Sequence, residues 1–211
     1  MNFTESPTEQ TTAITDVLVF LVALSAIALM STSRFADPAK IHIWVPAFAF
    51  VAIASLLGAL AHGIVFSDRF RDRVWLILNL CLGLAVSLFV VGVVYDLAGR
   101  GAASRAMPLM IAAGLLFFFI SWRFPGIFFI FIVYEAAALV FALVAYAWLA
   151  ISGDATGALW MTAGVLTSLV AAIIQTRQRI TVKAIWAFDH NGLFHIVQAV
   201  GLLLLLCGIL S

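Results

Sequence analysis

Four polar side chains that could do chemistry lie inside long apolar runs of this sequence: His62, Asn79, Glu135 and His195. An ionisable or amide group at bilayer depth costs free energy, so such a residue marks a candidate functional site. Imidazole is a preferred ligand of zinc, and three nitrogen or oxygen ligands with one water form a catalytic zinc site. These residue types therefore predict a zinc centre, with His62 and His195 as two of its ligands.

The third ligand is expected from the segment around His195, which reads DHNGLFHIVQ from Asp189 to Gln198. His190 lies about 140° around a helix from His195, so it can join the site only from the mouth of the helix. Asn191 and Gln198 share the face of His195 and are predicted to form hydrogen bonds behind the metal ligands, or only to join helices. A simpler alternative makes Asp189 or His190 the N-cap of this helix.

Glu135 has the highest free-energy cost of burial among these residues, because an unpaired carboxylate in hydrocarbon is strongly disfavoured. It must be protonated, paired or bound to a cation. We therefore expect Glu135, together with Asn79, in the catalytic set, with the carboxylate as general base, proton carrier or metal ligand. The alternative is a neutral Glu135 that forms a hydrogen bond to a neighbouring helix, for example to His62 or Asn79, and only fixes helix packing.

Composition identifies the elements that must position these side chains. Of the 211 residues, 65% are hydrophobic and 10% are charged, whereas soluble domains are about 45–50% apolar and 25% charged. Seven apolar runs approach the roughly 20 residues of a spanning helix: 13–30, 43–66, 74–97, 107–121, 127–151, 158–174 and 191–210. We predict an all-α integral membrane bundle of seven transmembrane helices, one domain over residues 13–211 after a short polar tail at residues 1–12.

Alternating the spans up and down brings the candidate residues to the side of the membrane that holds the N-terminus. Asp16, at the start of the first span, is on that side too, and we interpret it as a first-turn residue that favours the helix dipole or as a partner behind the metal ligands. More of the Arg and Lys residues that flank the spans also lie on that side. This charge bias favours an N-terminus on the cytoplasmic side of the membrane. The flanking residues on that side are Arg69, Arg71, Arg73, Arg123, Arg177, Arg179 and Lys183, against Arg34, Lys40, Arg100 and Arg105 on the other side. The flanks of the first span alone favour the opposite orientation.

The same composition limits the classes of partner that the protein can bind. The net charge of +1 and the lack of a basic cluster interleaved with aromatic residues exclude nucleic acid as a partner. A retinal-binding photoreceptor would need a lysine in the middle of the seventh span, and residues 191–211 contain none. The expected partner is a membrane lipid or another ligand with an acyl chain, and no oligomeric state follows from the sequence.

The arrangement resembles a superfamily of seven-helix membrane proteins that holds the alkaline ceramidases, the progestin and adipoQ receptors and their bacterial relatives. Its members bind zinc through three histidines, and several hydrolyse lipid amides. The pattern of that superfamily has a Ser one turn before the His of the second span, an Asp on the third span and HxxxH on the seventh. His62 and His195 match this pattern, whereas Gly58, Asn79 and Asn191 stand at the other three positions.

The resemblance implies a divergent bacterial relative in the inner membrane, with zinc as cofactor and hydrolysis of a lipid amide or ester as activity. Asn79 in place of the Asp leaves water activation to another acid, for which Glu135 is the candidate. The alternative is a non-enzymatic membrane protein. It would be a lipid sensor, or a small proton-coupled transporter that uses Glu135 and the histidines as a relay.

Overall fold

Helices make up nearly all of the fold. The computed structural model describes residues 2–34, 37–124, 128–177, 180–183 and 186–211. The helices are α1 (Pro7–Thr32), α2 (Pro38–Gly63), α3 (Asp68–Arg123), α4 (Phe128–Ser152), α5 (Ala158–Thr176) and α6 (His190–Leu210). Two antiparallel strand pairs accompany them: β1 (Asn2–Phe3) with β2 (Ile64–Val65), and β3 (Thr181–Lys183) with β4 (Ala187–Asp189).

The side chains on the outer surface of the helices indicate the medium that surrounds the protein. Within the described ranges, six helices are long and apolar enough to cross a membrane. Their outward faces carry large apolar side chains, among them Leu21, Leu24, Ile53, Leu56, Leu116, Val144 and Leu203. Soluble monomers rarely expose contiguous apolar patches beyond a few hundred Å², whereas hydrocarbon accommodates such a surface. The chain is a helical membrane protein, which confirms the prediction from composition.

The longest helix, α3, folds back on itself at Gly99. This glycine has φ 77° and ψ 177°, a conformation that glycine adopts without steric cost. On either side of it, the Ser87 hydroxyl donates to the Met110 carbonyl at 2.7 Å. A Cβ added at Gly83 would lie 3.0 Å from the Gly114 carbonyl oxygen. Each of these pairs is nearly symmetric in sequence about Gly99, so the two arms of α3 form an antiparallel hairpin.

The seven predicted runs correspond to six helices in the described residues, because α3 contains two of the runs on either side of Gly99. The third and fourth runs, at residues 74–97 and 107–121, are the two arms of α3. The connection GRGAAS after the third run is helical apart from the break at Gly99. Helix α1 also begins earlier than predicted, at Pro7, within the expected tail at residues 1–12.

The helices close into a ring in chain order. Each helix packs against the next one along the chain, and α6 packs against α1. The main core runs around the inside of this ring, and Trp44 and Tyr146 are its largest fully buried side chains. Ring closure brings the N-terminal ends of α1 and α6 beside the C-terminal end of α2.

Two small caps cover this end of the ring. Residues of the polar stretch after α5 form the hairpin of β3 and β4. The Thr11 hydroxyl on α1 donates to the Ala187 carbonyl in this hairpin at 2.6 Å. On the other side of α1, strand β1 pairs with β2, and the Thr4 N–H donates to the Gly63 carbonyl at 3.0 Å. The first turns of α1 thus lie between both caps.

Candidate histidine–carboxylate site

Asp189 fixes the start of α6. Its carboxylate accepts a hydrogen bond from the Gly192 N–H at 2.9 Å and caps the helix, which confirms the N-cap alternative for Asp189. The same oxygen accepts from the Thr12 hydroxyl of α1 at 3.0 Å. Because this contact joins the first turn of α6 to α1, it sets the height at which His195 meets α1.

His195 lies between two side chains of α1. Its Nδ1 is 3.2 Å from the Thr15 hydroxyl oxygen, and its Nε2 is 3.3 Å from Oδ1 of Asp16. The Thr15 hydroxyl donates its single proton to the Thr12 carbonyl at 2.9 Å, so towards His195 it can only accept. Nδ1 therefore carries a proton. The other ring nitrogen, Nε2, faces Asp16 and is available to bind a cation or to share a proton.

Asp16 is almost completely buried, with 5% of its side chain exposed. One of its oxygens, Oδ2, has no hydrogen-bond partner among the residues that the structure describes. Gly58 on α2 makes the space for it, since a Cβ there would lie 2.8 Å from both carboxyl oxygens. Asp16 lies more than two turns inside α1 rather than in its first turn, because the helix begins at Pro7. A buried oxygen without a partner is costly, so this carboxyl group calls for a proton or a cation.

His62 lies in the last turn of α2. Its Nδ1 is 2.7 Å from Oε2 of Glu9, and its ring packs edge-on against Trp75 with the centroids 5.5 Å apart. An ionised carboxylate only accepts, so Nδ1 donates and Nε2 is left for another partner. Glu9 was not among the predicted residues, because it precedes the first apolar run. The signal that could have found it is its spacing from Asp16, since two helical turns place both acids on one face of α1.

The predicted catalytic residues lie elsewhere on the ring. Asn79 on α3 and Glu135 on α4 are partly buried. In the described part of the chain, no hydrogen bond or ion pair joins Glu135 to His62 or to Asn79. His62 and Asn79 are therefore not partners of Glu135 there, and a packing role for Glu135 stays a prediction.

The structure places the residues predicted around His195 in different environments. His190 is the first residue of α6, at the mouth where the sequence placed it. Asn191 follows it and is partly buried. Gln198 lies one turn deeper than His195, and its Oε1 is buried without a hydrogen-bond partner in the described ranges. Neither amide forms a hydrogen bond to a histidine of the described chain, so their predicted supporting role remains a prediction.

The site fits part of a zinc centre. Among residues with described positions, no three His, Cys, Asp or Glu side chains gather as a metal cage, so neither the predicted set of His62, His190 and His195 nor another set of three ligands is assembled there. Two ligands of a tetrahedral zinc ion, each at about 2.0–2.1 Å, lie about 3.3–3.4 Å from each other. The separation of 3.3 Å between Asp16 Oδ1 and His195 Nε2 has this value. A charge-assisted hydrogen bond would be shorter, about 2.7–2.9 Å.

Fold and site together define a helical membrane protein with a buried histidine–carboxylate centre at one end of a closed ring. The chain belongs to a family of unknown function, DUF6962, which it matches over residues 11–211. This match covers all six helices except the first turn of α1 and includes Asp16, His62 and His195. Neither curated proteins nor solved structures provide a further match.

Proposed function

We propose that this protein is a zinc-dependent hydrolase of a lipid amide or ester, embedded in a membrane that it crosses seven times. Seven crossings follow if both arms of α3 span the bilayer, because each arm exceeds the roughly 20 residues that a spanning helix needs. The excess of cations on the side of the N-terminus supports an inside N-terminus. The resemblance to bacterial seven-helix proteins supports the bacterial inner membrane as the location.

One observation carries the proposal, namely the contact between Asp16 and His195. The 3.3 Å between Oδ1 and Nε2 suits two ligands of one ion, and the unpartnered Oδ2 marks a carboxyl group that lacks a counter-charge. We assign Asp16 and His195 as two ligands. His62 is the third, so Asp16 takes the place that the sequence assigned to His190.

The partners of the two histidines support this assignment. A histidine that binds a metal almost always donates its other ring N–H to an oxygen, which fixes the tautomer and the ring orientation. Thr15 accepts from Nδ1 of His195, and Glu9 accepts from Nδ1 of His62. Both Nε2 atoms are therefore left in the form that binds a metal.

Bound zinc would lower the pKa of its water towards 7 and polarise a carbonyl group. Glu9 already forms a hydrogen bond to a proposed ligand, so it joins Glu135 as a candidate for the base. The proposed site lies in the third turn of α1, the second turn of α6 and the last turn of α2, close to the membrane surface. A lipid carries its amide or ester linkage at a similar depth, at the border of the hydrocarbon core.

Metal analysis of detergent-purified protein, prepared without added metal, tests the proposal. We expect about one zinc per chain in the wild type. Asp16→Asn, His62→Ala and His195→Ala should each lose it. His190→Ala is the matched control at the mouth of α6, and His42→Ala, an exposed histidine at the start of α2, is the control at the opposite end. Both controls should retain the metal.

Three outcomes would contradict the proposal. Wild-type protein that stays free of metal after zinc is supplied would refute the zinc centre. Loss of zinc in His190→Ala but not in Asp16→Asn would restore the ligand set predicted from the sequence and remove Asp16 from the centre. With the centre established, release of fatty acid from lipid amides and esters is the assay for activity, and zinc-loaded protein without turnover would refute the hydrolase.

The incomplete set of metal ligands supports a second candidate function. Because no three ligands gather in the described ranges, Asp16 and His195 can instead share one proton between Oδ1 and Nε2. Such a pair suits a lipid sensor or a proton-coupled transporter. This function predicts a folded protein without metal. Its ligand binding or transport should depend on pH and should be lost in Asp16→Asn.

A further inference from the structure

An open groove runs along the outer face of α1, beside α6 and the hairpin of β3 and β4. It consists of two adjoining cavities of about 290 and 310 Å³. Both cavities are lined by Thr11, Ile14 and Trp186, so they form one continuous groove. At its inner end the lining is apolar, with Leu18 and Ile196.

The groove runs from the headgroup level into the adjoining part of one membrane leaflet. Its lining extends along α1 from Pro7 to Leu18, which is about 16–17 Å at 1.5 Å per residue. The first apolar run begins at Ala13, so about half of this length lies at the headgroup level and about half in hydrocarbon. The groove begins at the capped end of the ring and runs towards the bilayer centre. The first part of an acyl chain, directly below its headgroup, has this direction.

The outer end of the groove is built for a headgroup. Gln10 and Ala187 line it, and Trp186, with 59% of its surface exposed, is the kind of aromatic residue that lies at the headgroup level. Lys183 is exposed on β3 and stands opposite Ala187 in the strand pair. A lysine in this position can attract an anionic lipid phosphate.

We propose that this groove is a binding site for one acyl chain of a membrane phospholipid, whose phosphate lies beside Lys183. The site is separate from the proposed zinc centre and does not depend on it. It is nevertheless connected to that centre through Thr15, which lines the groove and contacts Nδ1 of His195. A bound chain therefore packs against the side chain that orients His195, and it supports the ring position that the site requires.

Phospholipid counted per chain after extensive washing in mild detergent tests this inference. Ile14→Trp and Leu18→Trp place a large ring in the groove. Leu21→Trp is the matched control, because Leu21 is exposed on the same stripe of α1 but does not line the groove. Filling the space of about two buried methylene groups should reduce retained phospholipid about tenfold. Leu21→Trp should retain as much as the wild type.

Lys183→Gln provides a variant that cannot disrupt the helices, since it changes an exposed residue on a short strand. Purified protein is equilibrated with phosphatidylglycerol or phosphatidylcholine in detergent. The wild type should retain the anionic lipid in preference, and Lys183→Gln should lose this preference. Three results would overturn the inference: no phospholipid on the washed wild type, equal loss in Leu21→Trp, or retention of free fatty acid instead of phospholipid.

Discussion

Replacement of Gly58 by Ala tests the geometry of the site with a single methyl group. The added Cβ would lie 2.8 Å from both carboxyl oxygens of Asp16 and 2.9 Å from its Cγ. Ordinary contacts of a carbon with these atoms need more than 3 Å, so the carboxyl group must move. It is buried beside His195, where a displaced carboxylate has little room.

The size of the effect follows from this overlap. Extra methyl groups in packed interiors destabilise by about 1–3 kcal/mol. We therefore expect Gly58→Ala to lower the midpoint of thermal unfolding by about 2–12 °C, at about 2–4 °C for each kcal/mol. Loss of the alignment between Asp16 and His195 should reduce zinc affinity about 10–100-fold, as when the support of a ligand is removed.

A double-mutant cycle separates this cause from a general loss of packing. In Asp16→Ala the methyl group at residue 58 meets empty space, so Gly58→Ala should cost little in that background. The coupling free energy should reach about 1–3 kcal/mol, the upper range for residues in contact. Gly101→Ala is the control, since its Cβ meets nothing within 4 Å. It should stabilise the helix by about 0.5–1 kcal/mol. Additive effects of the changes at residues 16 and 58 would refute the reasoning.

Two further predictions concern the opposite end of the ring and its core. Gly92→Ala should destabilise the protein by about 1–3 kcal/mol, because its Cβ would lie 2.6 Å from the Trp44 ring, which is 1% exposed. Thermal unfolding followed by tryptophan fluorescence measures this loss of stability. An unchanged midpoint would contradict the close packing of Gly92 against Trp44. A hydrogen bond from the Tyr95 hydroxyl lowers the pKa of Asp37 below its ordinary 3.8. A lowered carboxyl pKa adds stability that is present above the ordinary value and is lost as pH falls through the lowered value. Tyr95→Phe should therefore unfold at a lower temperature than the wild type near neutral pH, and this difference should disappear in acid. A difference that grows in acid would show that the hydrogen bond does not lower the pKa of Asp37.

Sequence reasoning reached the class of the fold because the constraint is strong and local. Apolar runs of about 20 residues predict helices that span a membrane, whatever their neighbours are. The capping role of Asp189 was also accessible, since an N-cap is recognised within one turn of sequence. The break in α3 was less accessible. Gly99 interrupts the helix at one residue, and the polar residues after it remain helical, whereas polar residues between two apolar runs usually predict a loop.

The site was only partly accessible, because its contacts join residues that are far apart in the chain. His62 and His195 were recognised as polar residues in apolar runs. Their partners Glu9 and Thr15 lie near the N-terminus, where polar residues are ordinary. The choice of Glu135 as the principal acid followed from its depth in an apolar run, but depth does not determine which helices are neighbours. Asp16 is the buried acid beside His195 because α1 and α6 pack together in the ring.

The order of the helices around the ring has a consequence for biosynthesis. Since each helix packs against its successor, a chain that enters the membrane from its N-terminus can bury most contacts as soon as each new helix arrives. The contact of α6 with α1 is the exception, because it must wait until the last helix has been made. Until then Asp16 packs beside Gly58 of α2 but lacks His195. An interrupted or truncated chain would therefore leave this acidic group without the side chain that it contacts in the closed ring.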